Sequence, residues 1–186
     1  MSKKEENTWK TLHSEVKFET PWIKVTKHDV ITPAGTSGIY GTVSFKNLAI
    51  GVLPLDNEGN TWLVGQWRYP LNQYSWEIPE GGGPLGVDPL FSAKRELKEE
   101  TGLVAKKITE LGRLHTSNSV CDEYGILYLA QDLVQEDAEP EDTEDLQIRK
   151  LPFEEAYQMV IRGEITDSLS VIAILRTKIL MQEGKI

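Results

Sequence analysis

Three glutamates near the end of one predicted helix are the residues best able to do chemistry. Glu96, Glu99 and Glu100 fall on one side of a helix, which has about 3.6 residues per turn. Like charges at these spacings repel, and the negative end of the helix dipole disfavours anions in the last turn. A hard divalent cation such as Mg²⁺ or Mn²⁺ would relieve both effects. The alternative is a solvated acidic face, which on spacing alone is the more common explanation of a charge run.

The helix that carries these glutamates has sequence signals at both ends. Asp88 is a good N-cap, Pro89 suits the first helical position, and Gly102 is typical of a helix end. Apolar residues at helical spacing predict its buried face: Leu90, Ala93 and Leu97.

The rest of the chain predicts an α+β protein in which helices pack on a mixed sheet. The first dozen residues are polar and are expected to be frayed. Alternating or continuous apolar segments predict the strands, at 22–27, 39–45, 48–55, 61–67, 75–78, 108–114, 124–130 and 146–151. Two further helices are expected at 153–162 and 168–182, the second capped by Asp167.

Composition narrows the possible functions. The 186 residues carry a formal charge of −9, which argues against a broad nucleic-acid or anionic-membrane surface. The single cysteine, Cys121, excludes an internal disulfide and fits a reducing compartment. Because the N-terminal residues have no apolar core and no apolar run approaches about 20 residues, we expect a cytoplasmic protein that does not bind membranes.

Residues 81–103 resemble the Nudix box. Gly81 is followed at the family's spacing by Arg95, Glu96, Glu99 and Glu100, and then by Gly102 and Leu103. With this match, a metal site becomes the favoured interpretation of the three glutamates, in place of a solvated acidic face. The sequence departs from the box at Val87, where the family has a glutamate that helps to orient the box arginine. The metal-binding glutamates are retained, so the resemblance implies that activity survives, at a level that Val87 leaves open.

The flanking segments resemble the branch of ADP-ribose and nucleoside-diphosphate-sugar pyrophosphatases. The similar segments are 66–70, 76–81 and 165–174, and the whole resemblance covers about residues 18–180. It implies a Nudix fold, an α/β/α sandwich with a mixed β-sheet between helices. It also implies a homodimer, with residues 1–45 as an N-terminal strand region that dimerises and 46–186 as the Nudix hydrolase domain.

The resemblance also assigns metal ligands. Glu96 and Glu100 match the family's principal ligands, Glu99 assists, and the backbone carbonyl of Glu80 matches a further ligand position. Arg95 is the box arginine and a candidate catalytic residue. Divalent ions neutralise a pyrophosphate and lower the pKa of a bound water.

The general base of this branch comes from an acidic loop beyond the box. In this sequence that loop is the segment 136–145, in which seven of ten residues are acidic. Glu141, Asp142 and Glu144 are the candidates, and Glu99 is the alternative if none of them acts as the base.

Substrate binding is assigned by the same resemblance. Arg68 matches a phosphate-contacting arginine, for which a salt bridge on the surface is the alternative. Gln66, Tyr69 and Glu77 are the other candidates in the flanking segments, and Trp22 is the first choice for stacking on the base.

These features predict Mg²⁺-dependent hydrolysis of a nucleoside diphosphate sugar to a nucleoside monophosphate and a sugar phosphate. ADP-ribose, GDP-mannose and ADP-glucose are not separated by the sequence. One alternative is a Nudix sensor that binds a nucleotide sugar without cleaving it. Another is a Nudix pyrophosphatase acting on a different nucleotide.

Overall fold

The computed structural model describes residues 6–136 and 146–186. The chain divides into two compact units. One contains the residues up to Lys46 together with Ser117–Glu123, and the other contains Asn47–Thr116 and Tyr124–Ile186. The loop candidates Glu141, Asp142 and Glu144 lie outside the described residues.

The N-terminal unit is built on a three-stranded antiparallel sheet. Its strands are β1 (Lys10–Glu19), β2 (Ile23–Ile31) and β3 (Ser37–Phe45), in that order across the sheet. The expectation that the first dozen residues are frayed is wrong from Lys10 onward, because Lys10 already pairs with Ile31. Every residue of β1 is exposed, so no buried side chain marks this strand in the sequence. It is held by backbone pairing with β2 and by a hydrogen bond between Ser14 Oγ and His28 Nδ1 at 2.8 Å.

Among its described residues, the larger unit contains seven strands in two sheets. They are β4 (Asn47–Pro54), β5 (Asn60–Arg68), β6 (Gln73–Glu77), β7 (Glu80–Pro84), β8 (Leu103–His115), β9 (Tyr124–Gln135) and β10 (Gln147–Pro152). One sheet has the order β10-β5-β6 and the other β7-β4-β9-β8. The second sheet is mixed, because β4 runs parallel to β9 and antiparallel to β7.

The described part of the larger unit also contains three helices: α1 (Pro89–Thr101), α2 (Phe153–Ile161) and α3 (Ser168–Gln182). The predicted caps of α1 and α3 are confirmed. The Asp88 side chain accepts a hydrogen bond from the Leu90 N–H at 3.0 Å, and Gly102 ends α1 in the left-handed conformation. Asp167 accepts from the Ser170 N–H at 2.7 Å. Within the part of the chain that the structure describes, no helix combines the length and apolar character needed to cross a membrane.

The mixed sheet is buried on both faces, as the expected α/β/α sandwich requires. Successive residues of β4 point to opposite sides. Ile50 and Val52 belong to one core cluster with Leu97 of α1. Leu53 belongs to another with Ile174 of α3. The sandwich therefore places α1 over β4 and β7, which brings the glutamates of α1 to a glycine-rich strand.

Candidate active site

The inner face of α1 carries two buried carboxylates beside its apolar residues. Glu96 is 7% exposed and Glu100 is 3% exposed, although charged residues are rarely buried unless they are paired or bind a metal. The predicted arrangement of glutamates on one side of α1 therefore exists, and two of them face the protein interior. A solvated acidic face does not describe Glu96 and Glu100.

Strand β7 accommodates Glu96 because it lacks a side chain at Gly81. A Cβ atom built on Gly81 would overlap the Glu96 carboxylate. The backbone of β7 is fixed at this point by pairing between Gly81 and Ile50 of β4. Glycine is therefore required here by the close approach of a carboxylate rather than by a turn.

Arg95 joins two of the glutamates to β7. Its Nη1 donates to Glu99 Oε2 at 2.8 Å, and its Nη2 donates to Glu96 Oε1 at 2.5 Å and to the Gly82 carbonyl at 2.9 Å. Val87, at the departure from the box, is exposed. The guanidinium thus keeps three partners without a glutamate at position 87.

Glu100 is held by the backbone at the start of β7. Its Oε2 accepts a hydrogen bond from the backbone N–H of Glu80 at 3.0 Å. Glu80 is the first residue of β7, and it follows a short link that carries the chain from one sheet to the other. The position of this link therefore decides where the Glu80 N–H and carbonyl lie.

Two elements fix the link by its backbone. The Ile78 N–H donates to Ser170 Oγ of α3 at 3.0 Å. The Pro79 carbonyl accepts from the Val52 N–H of β4 at 2.8 Å. Neither contact was expected, because nothing in the sequence marks Ser170 as more than a residue in the first turn of a helix.

Arg68 forms a buried ion-pair network with Glu77 and Glu80. Its Nε donates to both Glu77 carboxylate oxygens, at 2.9 and 3.0 Å, and its Nη2 donates to Glu77 Oε2 and, at 2.8 Å, to Glu80 Oε1. The side chains of Glu77 and Glu80 are only 3% and 13% exposed, so this is not a surface salt bridge. The two carboxylates raise the pKa of Arg68 above its usual range. The expected phosphate contact of Arg68 stays a prediction.

The Glu80 side chain has a raised pKa within this network. Burial raises the pKa of Glu80 well above its usual range, the nearby carboxylates of Asp167 and Glu77 raise it further, and Arg68 opposes them. Its buried Oε2 meets no hydrogen-bond donor among the described residues. A proton on Glu80, which the raised pKa favours, would allow a hydrogen bond to the nearby Asp167 carboxylate.

A cavity of about 280 Å³ opens beside this network. It is lined by Arg68 and by seven other residues, three of them acidic; these are Pro70, Leu71, Ser75, Glu77, Glu80, Thr166 and Asp167. Glu80 and Asp167 both lie in segments that resemble the family, but the sequence assigned no role to the Glu80 side chain and indicated Asp167 as a helix cap. The signal that could have found them is the excess of acidic over basic residues in the segments around Arg68 and Asp167.

The donor set fits a hard divalent cation. Within 6–136 and 146–186, no three His, Cys, Asp or Glu side chains are already grouped as a metal cage. All the donors at the site are oxygens, however, two of the carboxylates are buried, and a buried oxygen of Glu80 meets no donor in the described chain. Oxygen donors of this kind are the ligands that Mg²⁺ and Mn²⁺ prefer.

The other predicted substrate-binding residues do not lie on one element. Gln66 is half-buried on β5, and Tyr69 is exposed at its end. Trp22 is exposed and belongs to the N-terminal unit. The structure thus brings together Arg95, Glu96, Glu99, Glu100 and Glu80 around β7, and Arg68 with Glu77 and Glu80.

Two family models match this chain. The NUDIX domain model matches residues 45–169, and the model of the nucleoside diphosphate sugar hydrolase N-terminal domain matches residues 9–43. Together they cover most of the chain, and the first contains α1 and β7.

Individual relatives extend over nearly the full length. An ADP-ribose pyrophosphatase of Bacillus subtilis (strain 168) is 33% identical over 89% of this chain and 90% of its own. A methanol dehydrogenase activator of Bacillus methanolicus is also 33% identical, with the same coverage. A crystal structure of an ADP compounds hydrolase superposes with a TM-score of 0.85 at 21% identity, covering 99% of this chain and 100% of that one, which shows a shared fold. Because the NUDIX model spans the buried glutamates and the strand that holds them, this chain belongs to the Nudix family.

Proposed function

We propose that this protein hydrolyses the pyrophosphate bond of a nucleoside diphosphate sugar, yielding a nucleoside monophosphate and a sugar phosphate. The chain is a pyrophosphohydrolase of the Nudix family. The observation that carries the proposal is the pair of buried glutamates, Glu96 and Glu100, held against the backbone of β7.

The relatives favour ADP-ribose as the first substrate to test. The relative from Bacillus subtilis is named for ADP-ribose hydrolysis, and residues 9–43 match a domain named for nucleoside diphosphate sugar hydrolases. GDP-mannose and ADP-glucose remain in the panel.

The proposed cofactor is Mg²⁺, with Mn²⁺ as a substitute. Glu96 and Glu100 would hold it, assisted by Glu99 and the Glu80 carbonyl, and when bound it would neutralise the diphosphate and acidify water. The chain's own part is to hold these groups in place: Arg95 fixes Glu96 and Glu99, and the Glu80 N–H fixes Glu100.

The general base is proposed to come from the acidic loop. Its candidates, Glu141, Asp142 and Glu144, lie outside the described residues. Glu99 remains the alternative, although its Oε2 already accepts a hydrogen bond from Arg95. Because one of its carboxylate oxygens is engaged by Arg95, Glu99 is the poorer choice.

A hydrolysis assay over a nucleotide-sugar panel, with and without Mg²⁺, tests the proposal. We expect ADP-ribose to yield AMP and ribose 5-phosphate only when the metal is present. Tight binding of a nucleotide sugar without turnover would instead support the sensor. Turnover confined to nucleotides that carry no sugar diphosphate would support the other pyrophosphatase alternative.

A homodimer in a cytoplasmic setting also belongs to this proposal. Strand β1 lies at the edge of its sheet and leaves three apolar side chains exposed: Leu12, Val16 and Phe18. An exposed edge strand with apolar side chains is suited to association with another chain. The dimerising role of residues 1–45 and the cytoplasmic location stay predictions.

A further inference from the structure

We propose that Arg68 is a positioning residue for the metal-binding backbone: by holding the Glu80 side chain, it keeps the Glu80 N–H and carbonyl beside Glu100. The inference rests on the proposed function, because it assumes that Glu96 and Glu100 hold a divalent cation. It gives Arg68 a role that does not require contact with the phosphates.

The first step is the geometry of the guanidinium. Two of its three nitrogens, Nε and Nη2, donate to Glu77 and Glu80. In the described part of the chain, only Nη1 has no partner. A bidentate grip on a phosphate uses two nitrogens, so Arg68 could form one only by releasing a buried carboxylate. Releasing Glu77 or Glu80 would leave a buried charge unpaired, which is costly.

The second step is that Glu80 connects two parts of the site. Its side chain accepts from Arg68 Nη2 at 2.8 Å, and its backbone N–H donates to Glu100 Oε2 at 3.0 Å. Only the Cα, Cβ, Cγ and Cδ atoms of Glu80 separate its backbone nitrogen from the carboxylate oxygen that Arg68 contacts. A shift of the Glu80 side chain therefore moves the hydrogen bond that orients Glu100.

The third step is that Glu80 supplies the side chain at the start of β7, where the backbone pairs with β4 and Glu80 lies opposite Gly51. The next three residues are Gly81, Gly82 and Gly83, which have no side chains to pack. The contacts of Ser170 and Val52 end at Ile78 and Pro79. Glu80 is thus the only side chain between Pro79 and Pro84 that can anchor this backbone, and Arg68 is the cation that anchors Glu80.

Binding of Mn²⁺ to the nucleotide-free protein, measured by calorimetry, tests the inference without using activity. Groups that orient metal ligands typically contribute about 10–100-fold to metal affinity or activity. We expect Arg68→Ala and Glu80→Ala each to weaken Mn²⁺ binding by about tenfold or more. Arg68→Lys should lose less Mn²⁺ affinity than Arg68→Ala, because lysine keeps a positive charge beside Glu77 and Glu80. Exposed Arg113→Ala, which breaks an ion pair with Glu110, is the matched control and should bind Mn²⁺ as the wild type does.

The double variant Arg68→Ala/Glu80→Ala separates the two roles. If both residues act through one anchor, its loss of Mn²⁺ affinity should be no larger than that of either single variant. This variant also guards against misfolding, because it removes a buried cation together with one of its anionic partners. Circular dichroism and the unfolding midpoint establish that each variant is folded.

Kinetics with ADP-ribose provide the second readout. A positioning residue should lower kcat with KM nearly unchanged, because the metal-binding groups act on the transition state. An increase in KM at wild-type kcat and Mn²⁺ affinity would overturn the inference in favour of a phosphate contact. Glu100→Gln separates this failure from failure of the proposed function: if it binds Mn²⁺ like the wild type, the metal site itself is wrong and both proposals fall.

Discussion

Glu100 is the residue on which the proposed chemistry depends most directly. Glu100→Gln keeps the shape of the side chain and keeps an oxygen able to accept from the Glu80 N–H, but it removes an anionic metal ligand. We expect kcat to fall by orders of magnitude at saturating Mg²⁺, with the unfolding midpoint unchanged or raised because like-charge repulsion is relieved. Exposed Glu110→Gln is the control, and near-wild-type turnover by Glu100→Gln would contradict the metal assignment.

Gly81 offers a second test at the residue scale. In Gly81→Ala the new methyl group would overlap the Glu96 carboxylate, so Glu96 or β7 must move. Overpacking of this kind typically costs about 1–3 kcal/mol, and here it should also reduce Mn²⁺ affinity. Gly41→Ala, whose added Cβ would meet no atom within 4 Å, is the matched control for both measurements.

The sequence indicates which residues are candidates for the chemistry, but it does not indicate which groups hold them. Helical spacing and the resemblance to the Nudix box together indicated Glu96, Glu99, Glu100 and Arg95, because both depend on local spacing. The anchoring of Glu80 by Arg68 could not be predicted in this way, since the two side chains meet across two strands and an intervening turn. The sequence indicates Arg68 as a phosphate contact, with a surface salt bridge as the alternative, but it does not show the buried partners of Arg68. The phosphate contact itself stays a prediction.

At the scale of the elements, the turn between β4 and β5 is held by one partly buried aspartate. Asp56 Oδ1 accepts from the backbone N–H groups of Glu58 and Asn60, at 3.0 and 2.7 Å, and its Oδ2 lies 2.9 Å from Lys150 Nζ. These bonds outweigh burial and lower the pKa of Asp56 from 3.8 to about 2. The side chain is 16% exposed, so solvent screens these bonds only in part.

Asp56→Asn should therefore destabilise the protein in a pH-dependent manner. Because the pKa of Asp56 is lower in the folded protein, its ionisation stabilises the fold at pH values above 3.8, the pKa in the unfolded chain. This stabilisation is lost as the pH falls toward about 2. We expect urea unfolding to show a loss of about 1–2 kcal/mol at pH 7, and a smaller difference between variant and wild type near pH 3. An equal difference at both pH values would contradict the role of the ionised carboxylate.

The acidic loop between β9 and β10 carries a third kind of test. Glu141→Gln, Asp142→Asn and Glu144→Gln should be compared for kcat and for substrate affinity. General-base catalysis contributes typically about 10²–10⁴-fold, so one variant should lose kcat with affinity nearly unchanged. If all three retain more than about a tenth of wild-type kcat, the base lies elsewhere and Glu99 becomes the leading candidate.

Elements with a strong local signal were predicted most accurately. The helix from Ser168 to Gln182 and the caps at Asp88 and Asp167 agree with the structure, since capping depends on the residue itself. Strand β7 was missed, because three glycines and a proline disfavour a strand and only pairing with β4 creates it. Strand β1 was missed in part for the related reason that none of its residues is buried.

For the whole molecule, the expected homodimer makes a direct prediction. The wild-type protein should sediment as a dimer at micromolar concentration, and deletion of the residues up to Ser44 should abolish both dimerisation and nucleotide binding. The combined substitution of Leu12, Val16 and Phe18 by serine removes apolar side chains from β1 without removing its backbone, and should weaken the dimer. A monomeric wild-type protein would contradict this expectation.

The link together with Glu80, residues 78–80, has a consequence for the order in which the site forms during folding. Its partners are Val52, Arg68, Glu100 and Ser170, which stand far apart in the sequence and belong to β4, β5, α1 and α3. Contacts between distant parts of a chain form late, because each must first overcome the entropy of closing a long loop. A folding intermediate in which α1 has formed would therefore contain the glutamates of the box, but the backbone of residues 78–80 that aligns them would not yet be in place. Catalytic competence should be among the last properties that this protein gains as it folds.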